Sequence, residues 1–438
     1  MATKIEDSDV LIIGGGAAGL SVAARLRRIA PGLGVSVLEP SQRHFYQPLW
    51  TLVGAGVLPK ERTVRPQASV VPRGVRWIQE AATELDPDNN QIVTAGGRRL
   101  RYRFLVVAPG IQIDWGSIPG LSEGIASGPV ASNWSYDTVD KTWELIRGFK
   151  GGTALFTLPA TPIKCPGAAQ KIMYLADDHF RRTGVRKGAQ IIFASAAGGI
   201  FGVEKYARTL NAVLARKGIE TLFRHNLVEV RSEKQEAVVE SLDSGERKTI
   251  HFDLLHVAPP QSAPDFVKRS PLSGAGGWVE LHKHTLQHVR WPNVFGLGDA
   301  SDLPTAKTGA AVRHQALAVA ANLAAAAATR PLPARYDGYT ACPVVTGYGR
   351  LVMAEFDYEM RPRESFPFDQ SKERFSMYLV KRYGLPLLYW QGMLRGRALG
   401  AERTILSHSK PALASSAGIA VGPEKPRRRG RADGNPLP

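Results

Sequence analysis

The stretch Asp9-Val-Leu-Ile-Ile-Gly-Gly-Gly-Ala-Ala-Gly19 decides the fold of this 438-residue chain. Its first five residues are almost all apolar, which predicts a buried parallel strand, and residues 20–28 predict a helix after the glycines. In such a unit Gly14 permits a tight turn, Gly16 lets the backbone approach a pyrophosphate, and Gly19 allows close packing of helix on strand. We expect the pyrophosphate to lie at the amino terminus of the helix.

A second predicted strand supplies the acid that such a unit requires. Val35-Ser-Val-Leu38 leads into Glu39, which lies 20 residues after Gly19. An acid at this distance can accept hydrogen bonds from an adenosine ribose. The order of strand, turn, helix and strand therefore favours a dinucleotide site over the alternative, a simple glycine-rich turn.

A motif far downstream indicates that the dinucleotide is FAD. Asn293-Val-Phe-Gly-Leu-Gly-Asp299 predicts a strand that ends in an acid, and a long Ala-rich helix follows. This motif resembles the second FAD signature of flavoproteins with two dinucleotide-binding domains, in which the acid binds the ribityl chain. A helix amino terminus together with Lys307 would stabilise negative charge on a reduced flavin. The alternative is that Asp299 only caps a turn.

A second Rossmann-like unit is predicted, but its nucleotide fingerprint is damaged. Residues 190–202 predict a strand and turn, and residues 203–216 predict a helix. Ala194-Ser-Ala196 stands where a nicotinamide-binding turn needs glycines, and the strand at residues 220–223 leads into Arg224 instead of an acid. Arg224 leaves NADPH open as an alternative. The favoured interpretation is a domain retained as a scaffold.

Composition narrows the class of protein further. The formal net charge of +17 suits an anionic membrane surface or anionic small molecules, and no nucleic-acid-binding motif accompanies it. Without such a motif, nucleic acid is not expected as a partner. Two cysteines are too few for a disulfide scaffold or a Cys-rich metal site, so no metal is expected. The polar amino terminus predicts no signal peptide and no stretch is long enough to span a bilayer, so membrane contact should be peripheral.

Each of the two cysteines is followed by proline. Cys165 precedes a predicted helix and lies between Lys164 and Lys171, an environment that should lower the pKa of its thiol. Cys342 lies far away in the sequence, so the pair forms no CxxC motif. From the residues alone, two buried and inert thiols are as good an interpretation as a reactive pair.

The sequence around both cysteines resembles sulfide:quinone oxidoreductase of the type related to the mitochondrial enzyme. The resemblance rests on Lys164-Cys-Pro-Gly-Ala-Ala-Gln-Lys171, on Ala341-Cys-Pro-Val-Val-Thr-Gly-Tyr348 and on Ala354-Glu-Phe-Asp-Tyr358. It implies that Cys165 and Cys342 form a disulfide, or a sulfur-bridged pair, beside FAD. Hydrogen sulfide would attack this pair and leave a persulfide on Cys342 and a thiolate on Cys165 facing the flavin.

The same resemblance implies the remaining partners and site residues. A sulfur acceptor such as sulfite, glutathione or sulfide would take the persulfide sulfur, and ubiquinone or a similar quinone would take the electrons from FAD. Lys171 and Lys381 would hold anionic sulfur species by charge. The residues expected to bind FAD are Gly14, Gly15, Gly16, Gly19, Glu39, Gln47, Ala82, Asp299, Lys307, Thr308, Gly309 and Ala310.

The carboxyl-terminal part of the chain predicts a membrane anchor. From Arg374 to Arg397 aromatic and aliphatic residues alternate with Lys and Arg, and Gly384-Leu-Pro386 is expected to divide the segment into two short helices. A quinone would enter between them. The alternative is an ordinary packed helical hairpin. Residues 411–438 are expected to be a disordered basic tail.

These predictions combine into an α/β fold with two Rossmann-like dinucleotide-binding domains and a C-terminal membrane-associating helical region. The expected divisions are residues 1–115 with 285–330 for FAD, 116–284 for the second domain, and 331–410 for the quinone and membrane region. We expect a peripheral protein on the cytoplasmic face of an inner membrane, with a homodimer as one option. The alternative functions are a type II NADH:quinone oxidoreductase and a non-catalytic flavin-binding interaction protein.

Overall fold

The computed structural model describes residues 5–397 and residue 401. The predicted basic tail, residues 411–438, lies outside the described residues. The strands in chain order are β1 Ile5–Ile13, β2 Val35–Leu38, β3 Arg43–Phe45, β4 Val64–Pro66, β5 Val75–Ile78, β6 Ala82–Asp86, β7 Gln91–Thr94, β8 Arg99–Val107, β9 Gln112–Ile113, β10 Val130–Ala131, β11 Gly152–Leu158, β12 Ala189–Ser195, β13 Glu220–Phe223, β14 His225–Arg231, β15 Glu236–Ser241, β16 Arg247–His251, β17 Leu254–Val257, β18 Gln261–Ser262, β19 Val294–Gly296, β20 Thr340–Gly347 and β21 Arg350–Phe356.

The helices are fewer and vary widely in length. They are α1 Ala17–Ile29, α2 Trp50–Val53, α3 Leu121–Ser127, α4 Val139–Gly148, α5 Gly167–Arg182, α6 Glu204–Lys217, α7 Asp265–Lys268, α8 Gly309–Ala327, α9 Phe375–Leu379 and α10 Leu385–Leu387. None of the helices in residues 5–397 is long and apolar enough to cross a membrane.

Two sheets form the framework, the first mostly parallel with an antiparallel β8-β7-β6 edge and the second all parallel. In the first, the order is β5-β2-β1-β8-β7-β6, and β19 pairs in parallel with β8, so the sheet joins strands from both ends of the chain. The second has the all-parallel order β10-β17-β11-β12-β13. The β1 residues Val10–Ile13 are almost completely buried, as the apolar run predicts for a central parallel strand. The predicted α/β fold class is confirmed.

The hairpin β20–β21 and the helical residues after it lie against both Rossmann-like units. The hairpin contacts α5 of the second unit and α8 of the first. Residues 393–395, at the end of the helical run, contact α1. The carboxyl-terminal part of the chain therefore lies beside α1, the helix that follows the glycine-rich turn.

The prediction that Gly384-Leu-Pro386 breaks the last helix is wrong. Gly384 has φ −67° and ψ −49°, and helical backbone runs without a break from Phe375 to Arg395. Two wide π-type turns, Val380–Gly384 and Leu388–Gly392, flank the proline. Such turns absorb the missing N–H and the bulk of a proline ring that would interrupt a regular α-helix.

Candidate active site

One large cavity lies at the carboxyl ends of the first sheet's strands and extends to the C-terminal helical residues. Its volume is about 710 Å³, a size suited to a cofactor and a second ligand. Parallel sheets bind ligands at this edge. The wall is formed by the glycine-rich turn, the start of α8, the start of α5, the β20–β21 hairpin and the C-terminal helical residues.

The glycines of the turn have distinct roles. Gly14 has φ +98°, and an added Cβ there would lie 2.3 Å from the carbonyl oxygen of Ala108. An added Cβ at Gly19 would lie 1.9 Å from the carbonyl oxygen of Gly14, so α1 packs on the turn only without a side chain. At Gly16 an added Cβ meets nothing within 4 Å, and this residue lines the cavity. Gly16 thus leaves room for a ligand, whereas Gly14 and Gly19 serve the backbone.

Glu39 lines the cavity directly after β2, where the sequence placed it. Its carboxylate accepts hydrogen bonds from the backbone N–H groups of Gly15 and Ser41, both at 2.8 Å. Burial raises the pKa of Glu39, and these two hydrogen bonds oppose the rise. The carboxylate is therefore held in a fixed position beside the glycine-rich turn.

The start of α8 forms the opposite end of the cavity. Thr308 caps the helix, because its hydroxyl oxygen accepts a hydrogen bond from the Ala311 N–H at 3.1 Å. Lys307 donates to the carbonyl oxygens of Asp299 at 2.8 Å and Ser301 at 2.7 Å. Burial lowers the pKa of Lys307 to about 8 and raises the pKa of Asp299. Asp299, Lys307, Thr308, Gly309 and Ala310 all line the cavity.

Of the two other residues predicted to bind FAD, one lies in the cavity wall and the other lies outside it. Gln47 lines the cavity. Ala82 is buried at the start of β6, where it pairs with Thr94, and it lies outside the cavity lining. Ala82 therefore belongs to the edge of the first sheet in this structure.

The two cysteines, far apart in sequence, come into hydrogen-bonding contact as free thiols. Cys165 lines the cavity directly before α5, and Cys342 is buried in β20. Gly167, in the first turn of α5, makes room for the Cys342 sulfur, which would lie 2.4 Å from a Cβ added there. The structure thus brings together two cysteines that lie far apart in the sequence.

Two buried lysines surround the sulfur pair with positive charge. The Lys171 amine donates to the Cys165 sulfur at 3.1 Å, and Lys381 donates to the Pro48 carbonyl oxygen at 2.6 Å. The hydrogen bond from Cys342 and the charges of the two lysines hold the pKa of Cys165 well below its usual value. The hydrogen bond with Cys165 and burial raise the pKa of Cys342.

The same charges act on the lysines in return. Burial by itself would lower the pKa of Lys171, but the two cysteine sulfurs outweigh it and raise this pKa. Burial, with the nearby Lys171 charge, lowers the pKa of Lys381 to about 7. Lys171 therefore stays charged near neutral pH, whereas Lys381 titrates there.

Side chains pack against the end of the damaged turn in the second Rossmann-like unit. Phe201 packs edge-to-face on Tyr206 and on Phe356 of β21. The Met360 methyl group lies 2.7 Å from where a Cβ on Gly202 would be. Arg224, the one residue that left NADPH open, forms an ion pair with Asp243 at 3.0 Å.

Sequence reasoning missed a buried link between the C-terminal helical residues and the glycine-rich turn. The Nε2 atom of His44 lies 2.5 Å from the Tyr389 hydroxyl, and its Nδ1 atom lies 3.1 Å from the Gly15 carbonyl oxygen. Because a carbonyl only accepts, Nδ1 carries the proton and Tyr389 donates to Nε2. Burial lowers the pKa of His44 to about 4, so the ring stays neutral. A contact across 345 residues leaves no local sequence signal.

Comparisons with known proteins place the chain in a family. A family described as pyridine nucleotide-disulphide oxidoreductase matches residues 8–142. The mitochondrial sulfide:quinone oxidoreductase of Mus musculus is 52% identical over 389 residues, which cover 89% of this chain and 86% of that protein. The chain belongs to the sulfide:quinone oxidoreductase family. The family implies a flavin cofactor.

Other members of the sulfide:quinone oxidoreductase family extend the match. The mitochondrial enzyme of Dictyostelium discoideum is 42% identical over 394 residues, covering 89% of this chain and 87% of that one. The X-ray structure of the Aquifex aeolicus sulfide:quinone oxidoreductase shares the fold, with a TM-score of 0.78, 19% identity and coverage of 90% and 92% of the two chains. Neither alternative function is favoured by these relatives.

Proposed function

We propose that this protein oxidises hydrogen sulfide and passes the electrons through bound FAD to a quinone. The observation that carries the proposal is the contact between Cys165 and Cys342 in the cavity wall, with the Lys171 amine 3.1 Å from the Cys165 sulfur. Two inert core thiols would need no cation and no access to a cavity. A buried cation beside a thiol instead favours the reactive thiolate.

The residues that line the cavity fit FAD. Gly16 leaves the amino terminus of α1 open for a pyrophosphate, and Glu39 is positioned for a ribose. At the other end, the start of α8 and Lys307 present positive charge where a reduced flavin ring would carry negative charge. When bound, the flavin supplies two-electron transfer between the sulfur pair and the quinone.

The sulfur chemistry follows from the state of the pair. In the oxidised protein Cys165 and Cys342 form a disulfide, and HS⁻ attacks the Cys342 sulfur. One S–S bond forms and one breaks, which leaves a persulfide on Cys342 and a thiolate on Cys165. A nucleophilic acceptor then takes the outer sulfur, and closure of the disulfide by the two thiolates releases two electrons.

The pKa directions support this division of roles. Cys165 is the better leaving thiolate because its pKa is lowered, and it is the cysteine that faces the cavity. A buried Cys342 with a raised pKa suits the position that carries the persulfide. Lys171 and Lys381 attract anionic sulfur species, and we propose sulfite, glutathione or a second sulfide as the acceptor.

The quinone is proposed to enter through the apolar part of the cavity. This part is lined by side chains of the hairpin, of the segment that follows it and of the C-terminal helical residues, namely Pro343, Met353, Phe366, Val380, Leu385, Leu388 and Met393. An apolar lining of this kind suits the ring and tail of ubiquinone or a similar quinone.

The same helical residues present an apolar stripe to the outside. The stripe consists of Phe375, Leu379, Tyr383 and Leu387, which are 63%, 39%, 59% and 64% exposed and recur every four residues. Residues four apart lie on one side of a helix. With exposed Lys372, Arg395 and Arg397 nearby, the stripe supports peripheral attachment to an anionic lipid surface.

Three further assignments stay predictions. They are the domain boundaries at residues 115, 284, 330 and 410, the location of the protein at the cytoplasmic face of an inner membrane, and its assembly as a homodimer. The similar proteins from mouse and Dictyostelium carry the word mitochondrial in their names.

The experiment that tests the proposed function is a steady-state assay on FAD-loaded protein. We expect sulfide to drive reduction of a short-chain ubiquinone, with sulfite increasing the rate. NADH and NADPH should give no reduction. Turnover with NADH and none with sulfide would contradict the proposal.

A further inference from the structure

The β20–β21 hairpin has two chemically different faces. Ala341 pairs with Glu355 and Pro343 pairs with Met353, and all four residues line the cavity. Cys342, between them, points the other way, toward Gly167 of α5. Residues directly opposite one another in an antiparallel pair share a face of the sheet. One face thus carries the sulfur, and the other carries a carboxylate into the apolar part of the cavity.

Glu355 is a buried carboxylate with only neutral partners in its hydrogen bonds. It is 5% exposed. One oxygen accepts from the Tyr339 hydroxyl at 2.5 Å and from the Ser365 hydroxyl at 3.0 Å. The other accepts from the Ser365 N–H at 2.6 Å and from the Gln370 amide at 2.8 Å. A carboxylate buried at such cost, where a glutamine would fit, needs a reason beyond packing.

Ser365 connects this carboxylate with solvent. It is an exposed residue, it lines the cavity, and it donates to Glu355 through both its N–H and its hydroxyl. A serine hydroxyl can accept one proton and donate another. The Ser365 hydroxyl is therefore a single hydrogen-bonded step between an exposed residue and the Glu355 carboxylate.

The other acids in the cavity wall are occupied elsewhere. Glu39 accepts backbone N–H groups at the glycine-rich turn, and Asp299 lies beside Lys307 at the start of α8. Glu355 is the carboxylate that shares its stretch of wall with Pro343 and Met353. Arg313, nearby on α8, adds positive charge that favours a developing oxyanion there.

We propose that Glu355 donates a proton to a quinone oxygen and that the Ser365 hydroxyl resupplies this proton from solvent. The inference rests on the proposed function. Reduction of a quinone to a quinol takes two electrons and two protons. The electrons and one proton come as a hydride equivalent from the reduced flavin, and the second proton comes from the Glu355 carboxyl group. The carboxylate that remains takes a proton through Ser365, so the cycle is balanced.

The test isolates the second half-reaction. The flavin is reduced with one equivalent of dithionite, so the outcome does not depend on sulfide, and then mixed in a stopped-flow instrument with a short-chain ubiquinone. In Glu355→Gln we expect reoxidation roughly a hundredfold slower than in the unmodified protein, within the range that general-acid groups contribute. Ferricyanide, which accepts electrons without protons, should reoxidise both proteins at the same rate.

Glu364→Gln is the matched control. Glu364 binds Lys205 and the Tyr206 hydroxyl and lies outside the cavity lining, and its variant should react with quinone at the unmodified rate. Equal quinone rates in Glu355→Gln and the unmodified protein would overturn the proposal, as would equal slowing with quinone and ferricyanide.

Ser365→Ala is a second test, since it keeps the Ser365 backbone N–H that donates to Glu355 and removes only the hydroxyl that does so. We expect slower quinone reoxidation, a larger solvent isotope effect and an unchanged ferricyanide rate. An unchanged quinone rate would overturn the relay, even if Glu355→Gln failed to load flavin. Failure of sulfide to reduce the flavin would count against the proposed function and leave this measurement intact.

Discussion

Cys165 shows how one residue joins the sulfur pair to the part of the cavity at the start of α8. Its backbone has φ +48°, a left-handed conformation that costs a non-glycine residue about 1 kcal/mol or more. Its N–H donates to the Lys307 carbonyl oxygen at 2.9 Å, which ties it to the start of α8. Strain that is maintained by the surrounding structure is typical of a functional position.

The lowered pKa of Cys165 leads to a labelling prediction. In the reduced protein at pH 6.5, iodoacetamide should alkylate Cys165 and leave Cys342 unlabelled, because only Cys165 is a thiolate with access to the cavity. The product is measured by peptide mass spectrometry. Lys171→Met should slow this labelling at pH 6.5 and leave it unchanged at pH 10. Lys187→Met, at an exposed site, is the control, and equal labelling of both cysteines would contradict the assignment.

Lys381 leads to a prediction about stability. Its pKa is about 7 in the folded protein against 10.5 for the unperturbed group, so between these values the unfolded chain binds more protons. The free energy of unfolding should therefore rise with pH in this window, by up to about 1.4 kcal/mol per pH unit, and be flat below it.

Lys381→Met removes the titrating group. Urea unfolding at pH 6, 7, 8 and 9 should show the variant gaining most over the unmodified protein at pH 6 and losing this advantage as the pH rises. A difference between the two proteins that does not change with pH would contradict the assigned pKa.

At the residue scale, sequence patterns located positions in the cavity wall where local chemistry is sufficient, and the contact of these residues with FAD stays a prediction. Glu39, Asp299 and Lys307 were found because each follows a predicted strand or precedes a predicted helix, and each lines the cavity. The sequence predicted no role for Glu355, because the role we propose for it depends on the Ser365 contact and on the strand register. Ala82 was expected at FAD and lies at the sheet edge.

At the scale of elements, the turn between β1 and α1 contains one glycine that folding requires and another that faces the cavity. Gly19 is required because α1 lies directly against Gly14, whereas Gly16 opens to the cavity. The first role is about backbone contact and the second is about a ligand. The spacing of the glycines predicted both roles, because the conformation of this turn depends on consecutive residues.

Substitution of these glycines should separate the two roles. Gly16→Ala should fold with a normal far-UV circular dichroism spectrum but lose FAD, since its methyl group would occupy space at the pyrophosphate position. Gly19→Ala should fail to fold or lose several kcal/mol of stability through the clash with Gly14. Bound flavin is measured by absorbance after gel filtration. Full FAD occupancy in Gly16→Ala would contradict the assignment of the turn.

The C-terminal helical residues gave the clearest element-level error, because local sequence alone did not show that wide turns accommodate Pro386.

The apolar stripe of the C-terminal helical residues leads to a prediction about membrane binding. Leu387→Glu should lower binding to phosphatidylserine-containing vesicles roughly tenfold, because a charge on the lipid face is costly. Val289→Glu, at a 52% exposed site elsewhere, is the control. Equal flotation of both variants with vesicles would contradict the membrane role of the stripe.

At the scale of the whole molecule, function depends on contacts that no local pattern reveals. The chain order of strands and helices predicted the two Rossmann-like units, since each unit is formed by consecutive residues. The meeting of Cys165 with Cys342 depends instead on how the hairpin packs against α5, and only family resemblance indicated it. The cavity wall is thus assembled from widely separated parts of the chain.

The central claim is that sulfide reduces the flavin through the two cysteines. Anaerobic mixing of FAD-loaded protein with sulfide should bleach the visible flavin band rapidly, and a short-chain quinone should restore it. Cys165→Ser and Cys342→Ser should each abolish the bleaching while keeping bound FAD. Bleaching that persists in both variants, or bleaching by NADH and none by sulfide, would contradict the account.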